Sequence, residues 1–104
     1  MIAKTPEPPY FAVIFSSEMA NTDGYSEMAN KMVRLASEQD GFLGMESAKE
    51  ELGITVSYWR DLQAIKNWKA NSQHILAQKK GRLKWYKSFK TRIAKVERDY
   101  EFEK

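Results

Sequence analysis

The sequence predicts an α+β fold of order β-α-β-β-α-β, with one four-stranded antiparallel sheet and its helices on one face. Three observations carry this expectation. β-Forming apolar residues run almost unbroken through Tyr10–Ser17. An apolar stripe recurs at spacings of three and four from Tyr25 to Ala36, the mark of a helix. Period-two alternation, the mark of a strand, governs Ile54–Trp59 and returns after Phe89. In this order the elements make the split βαβ, or ferredoxin-like, plan.

Each element can be argued in turn. Residues 1–9 hold Pro6, Pro8 and Pro9 and are expected to form a flexible N-terminal arm; residues 10–104 form one domain, since 104 residues suffice for one core and not two. Tyr10–Ser17 is apolar at both odd and even positions, as in a strand buried on both sides. Asn21-Thr22-Asp23-Gly24 offers turn and cap chemistry, and Asp40-Gly41 closes a helix over about residues 23–38. Phe42–Glu50 and Ile54–Trp59, separated by Glu51-Leu52-Gly53, read as a hairpin. Alternation with Ile54 and Val56 places Tyr58 toward the helices, leaving Thr55, Ser57 and Trp59 on the opposite side. Asp61 caps a helix carrying Leu62, Ile65 and Trp68; a break is expected near Asn71-Ser72, with Ser72 capping a further helix that bears Ile75, Leu76 and Leu83. The last strand is expected to run from Phe89 to Phe102.

In this plan helices cover one sheet face only. Because the first strand is apolar on both sides, the other face also needs a cover, and a second copy supplies it by sheet-on-sheet packing. A homodimer is therefore expected.

Composition narrows the chemistry. The chain has no cysteine, which removes disulfides, thiolate nucleophiles and cysteine-metal sites. One histidine without a carboxylate cluster supplies too few ligands for a metal, so no metal site is expected. The start lacks an apolar leader and no stretch approaches a membrane span, so a cytoplasmic, soluble protein with no membrane partner is expected. The net charge of +3 is unevenly spread. Residues 1–61 hold five basic and ten acidic side chains, whereas 62–96 hold ten basic and none acidic. Such a half attracts anions. Trp85 and Tyr86 among Lys80, Arg82, Lys84 and Lys87 could stack nucleic acid bases, but a run of this kind is more often a solvated helix face, and nucleic acid is not expected as a partner. A small anionic ligand suits Arg82 and Arg92 better, because a guanidinium reads planar oxyanions in two-point geometry.

Three stretches together point further. Tyr58-Trp59-Arg60-Asp61-Leu62-Gln63-Ala64-Ile65-Lys66-Asn67-Trp68, followed by His74, resembles a signature of the antibiotic biosynthesis monooxygenase family. Asp40-Gly41-Phe42-Leu43-Gly44 is similar to that family's lead into its second strand, and Gly81-Arg82-Leu83-Lys84-Trp85-Tyr86 also fits; the resemblance spans residues 10–102. It implies a dimeric α/β barrel with a cavity in each subunit between helices and sheet. In the polyketide-oxidising branch a phenolic substrate becomes a quinone with O2 and without metal, flavin or haem. In the haem-degrading branch the cavity holds haem on an axial histidine, beside a tryptophan and a first-strand asparagine.

Carried over residue by residue, Trp68 matches the helix tryptophan of both branches, and His74 falls where the polyketide branch has a tyrosine. Gln78 stands where the haem branch has its axial histidine, and Val13-Ile14-Phe15 where it has the asparagine. Glutamine is no ordinary iron ligand, so haem is disfavoured. The expectation is a cofactor-independent monooxygenase for a small aromatic or quinol-like substrate. His74 is its acid–base residue, as the side chain titrating nearest neutrality, with Trp68, Tyr58, Trp59, Arg82 and Arg92 binding the substrate. Each has a plainer reading: His74 as an exposed helix residue, Trp68 as core, the arginines as solvated charge. The alternative function is a non-catalytic or stress-related binding protein for an apolar ligand such as haem. Met28, Met32 and Met45 offer compliant packing or a lining for a flat ligand.

Overall fold

The computed structural model describes residues 1–78 and 84–104. Its elements are β1 (Tyr10–Met19), α1 (Tyr25–Ser37), β2 (Phe42–Lys49), β3 (Gly53–Trp59), α2 (Leu62–Gln78) and β4 (Tyr86–Val96). The four strands form one sheet in the order β2-β3-β1-β4, with every neighbouring pair antiparallel. This is the ferredoxin-like arrangement.

The helix layer defines the faces. Trp59, wholly buried, packs with Ala36 of α1 and with Ala64 and Ile65 of α2, and Phe11, Val13, Phe42, Met45 and Trp68 close around them. The β1–β3 register sets Phe11 opposite Trp59 and Val13 opposite Ser57. Odd-numbered positions of β1 and β3 therefore face the helices. Tyr10, Ala12, Ile14, Val56 and Tyr58 lie on the other face. This corrects the expected orientation of β3: Trp59 and Ser57 point to the helices and Tyr58 away from them. The Trp59 indole donates to Ser57 Oγ at 2.8 Å, which satisfies two polar groups inside the core.

The helix boundaries follow from local chemistry. Asp61 Oδ1 accepts from the Ala64 N–H at 2.8 Å and caps α2. Gly41, at φ +89°, turns the chain between α1 and β2; a Cβ there would stand 2.6 Å from Ala64 Cβ. Its carbonyl accepts from the Arg60 N–H at 2.8 Å, and Arg60 pairs with Asp40 at 3.1 Å and Asp61 at 3.3 Å, so both helix connections share one corner.

Two further expectations need correction. α2 is continuous through Asn71 and Ser72, whose side chains donate to the Asn67 and Lys69 carbonyls within the helix instead of breaking it. β4 begins at Tyr86, opposite Met19, and ends at Val96, opposite Tyr10; Tyr100 and Phe102 lie beyond it and are exposed. Leu83, expected on a second helix, lies outside the described residues.

The open face is partly occupied by the chain's own ends. The Ala3 N–H donates to Glu46 Oε2 at 2.9 Å, and Tyr10 donates to Asp99 Oδ2 at 2.5 Å. Ala3 sits so close to Gly44 that a Cβ there would come within 2.9 Å of Ala3 Cβ. Among the described residues, no helix is long and apolar enough to cross a membrane.

Candidate functional site

Between α1 and the helix side of the sheet lies a cavity of about 210 Å3. Tyr25, Ala29, Asn30 and Val33 of α1 form its roof; Ser17 and Met19 of β1, Met45, Ser47 and Lys49 of β2, and Gly53 and Thr55 of β3 are among its floor and rim residues. Strand alternation explains the set. Met45, Ser47 and Lys49 share one side of β2, opposite Ser57, Thr55 and Gly53. The lining is mixed, with apolar Met and Val beside hydroxyl and amide groups, as in pockets that orient a ligand through a few polar contacts.

Tyr25, which lines the cavity, belongs to an aromatic cluster. Tyr25 meets Trp85 and Tyr86 edge-on at 6.0 and 5.9 Å, and Tyr86 packs against Phe15 and Phe89. Burial, then its hydrogen bond to the Tyr25 hydroxyl, drives the Tyr86 phenol far above its ordinary range, so it stays a neutral donor. Lys49 Nζ stands 5.0 Å from the centre of the Tyr25 ring. Trp85, expected within a solvated basic face, is buried; its indole donates to the Asp23 carbonyl at 2.6 Å and is not free to stack on a base.

A second hollow, about 270 Å3, lies on the opposite sheet face beneath the N-terminal arm, where Tyr10, Glu46, Tyr58 and Asp99 meet. Burial, followed by donation to Glu46 at 2.6 Å, pushes the Tyr58 phenol up to about 12. The same bond, followed by the Ala3 N–H, holds the Glu46 carboxyl below its usual range. These groups satisfy one another and secure the arm.

The anticipated site residues separate between two faces. Trp59 and Trp68 come together as a stacked pair with centroids 6.1 Å apart on the helix side. Tyr58 and Arg92 lie on the other face, Arg92 opposite Ile14. His74 is exposed on α2 and is not among the residues lining either cavity. Arg82 lies outside the described residues. Sequence reasoning passed over Tyr25, Ser47 and Lys49 as a group. The signal was the period of β2: once Met45 faces inward, Ser47 and Lys49 must follow. Among the described residues, no group of three or more His, Asp or Glu side chains could hold a metal ion.

The sheet order and the two helices on one face define a ferredoxin-like module, with an open hollow between α1 and the sheet. The family model for antibiotic biosynthesis monooxygenase matches residues 17–80. The chain belongs to that family. It is 51% identical over 105 residues to the uncharacterized protein YqjZ of Bacillus subtilis (strain 168), covering 98% of this chain and 92% of that one. Among solved structures, PA3566 from Pseudomonas aeruginosa superimposes with a TM-score of 0.68 at 17% identity, covering 91% of this chain and 99% of the other. SnoaB, a cofactor-independent oxygenase from Streptomyces nogalater, does so with a TM-score of 0.64 at 8% identity, covering 93% of this chain and 100% of the other. At these identities the structural likenesses establish a shared fold.

Proposed function

We propose that the protein is a cofactor-independent monooxygenase that oxidises a small aromatic, one or two rings in size, in the cavity under α1, and that it works as a cytoplasmic homodimer. The cavity itself is the observation that carries this reading. Its volume lies below the roughly 300–1,000 Å3 of drug-sized sites, which favours a compact ligand. The balanced reaction is phenol plus O2 to quinone plus water: the ring supplies the four electrons, one oxygen atom enters the ring and the other leaves as water. Protein groups need only exclude bulk water and stabilise the phenolate. Neutral hydroxyl donors at Ser17, Ser47 and Thr55 suit that task. SnoaB, described as a cofactor-independent oxygenase, lends the chemistry its precedent.

The test is oxygen uptake with 1,5-dihydroxynaphthalene under 18O2. The expected product is the hydroxynaphthoquinone carrying one labelled oxygen. Met45→Trp, which fills the cavity, should abolish its formation. Product formed equally by that variant would overturn the reading. His74→Ala examines proton removal: as this imidazole is exposed, solvent can replace it, and turnover should change by less than about twofold.

One observation favours a second reading, binding without turnover: no carboxylate or imidazole is among the lining residues of this cavity. A ligand would then raise the unfolding temperature without being consumed. Haem does not fit that role, because the chain's one histidine is exposed on α2 and the cavity is small for a macrocycle.

A further inference from the structure

We infer that Lys49 makes this cavity selective for aromatic ligands that carry an anionic oxygen on the ring, a carboxylate or phenolate. The inference rests on the cavity reading above and adds the charge of the ligand and the residue that recognises it. Lys49 ends β2 on the same side as Met45 and Ser47, so its ammonium lies at the rim of a partly apolar cleft. It stands 5.0 Å from the centre of the Tyr25 ring, and among the described residues no carboxylate pairs with it. The other polar lining groups, Ser17, Asn30, Ser47 and Thr55, are neutral, so nothing among them competes for the ammonium or repels an anion.

A second cation stands at the same end of α1. Lys84 lies 5.3 Å from the Trp85 ring centre, and its Nζ would be 3.8 Å from a Cβ built on Gly24, the residue before Tyr25. Lys84 does not line the cavity but adds positive charge beside the Trp85 ring that packs on Tyr25. A flat ligand with its rings against Met45 and Val33 would bring a ring-borne oxyanion to Lys49. A neutral ring of equal size would gain the apolar contacts alone.

The experiment is calorimetric titration of the full chain at pH 7 with 2-naphthoate and with 2-naphthalenemethanol, its uncharged analogue. The wild type should bind 2-naphthoate at least about tenfold more tightly, a difference of about 1.4 kcal/mol. Lys49→Gln should remove the preference, and Lys49→Arg should restore it. Lys49 is exposed at a strand end, so both variants should keep the wild-type unfolding temperature. Equal binding of the two probes by the wild type, or a preference that survives Lys49→Gln, overturns the inference and leaves the cavity reading standing. If the wild type binds neither probe, both fail together.

Discussion

Trp59 and Tyr58 are neighbours whose fates differ because a strand sends successive side chains to opposite faces. Alternation says that they part; it does not say which way. Ile54 and Val56 suggested the helix side for Tyr58, yet both are apolar residues on a face that a strand buried on two sides also requires. The deciding facts are non-local: Phe11 opposite Trp59 across the sheet, and Trp68 of α2 stacked on its ring. Trp59 is the largest fully buried side chain, so Trp59→Ala should lower stability by about 3–5 kcal/mol. Trp59→Phe should cost less while leaving Ser57, which is buried, without its indole partner. Urea midpoints for the two variants check the order. Gly41→Ala adds a second residue-scale expectation. It forces a Cβ into left-handed backbone and against Ala64, and should cost about 1–3 kcal/mol in the same assay.

Elements were legible where their pattern was local. The periods of β1, α1 and β3 and the Asp61 cap sufficed to place those three elements and the start of α2 within a few residues. The errors fell where the answer depended on a partner. Residues 97–102 keep β-like alternation, but β1 begins at Tyr10, opposite Val96, and offers no further backbone to pair with. Asn71 and Ser72 suggested a break because their side chains compete for backbone groups in turns; within α2 they bond to carbonyls one turn back. Ser72→Ala should therefore strengthen α2 by a few tenths of a kcal/mol, seen as a small rise in unfolding temperature. The candidate cavity was the least legible part, since it depends on how α1 lies across β2 and β3. The arm adds a pH dependence. Glu46 is depressed in the fold by the Tyr58 hydroxyl first and the Ala3 N–H second, so its unfolded-state value lies above its folded one. Its contribution is present above the model-compound value of 4.5 and fades as pH falls through the lower folded value. The protection factor of the Ala3 amide should fall in the wild type as acidification protonates Glu46; with Glu46→Gln it should not change with pH.

At the scale of the whole molecule, one sheet face is finished by helices and the other only in part. The arm and the residues after β4 cover the end near Tyr10, Tyr58 and Glu46. The middle of that face, with Ile14 and Val56 half-buried and Ile54 39% exposed, has no cover among the described residues. β4 adds Arg92 and Ala94 beside them, both exposed. A stripe of this kind loses free energy to water at roughly 25 cal/mol per Å2 of apolar area, and burying it against a copy of itself recovers that cost symmetrically. The proposed homodimer therefore makes a direct claim about mass. Sedimentation equilibrium should give twice the chain mass of 12.1 kDa. Val56→Asp, which would place two carboxylates near a two-fold axis without touching the Trp59 core, should return the protein to a folded monomer. A wild type that sediments as a monomer at tens of micromolar would show that the arm, with Ile14 and Val56 left wet, is cover enough.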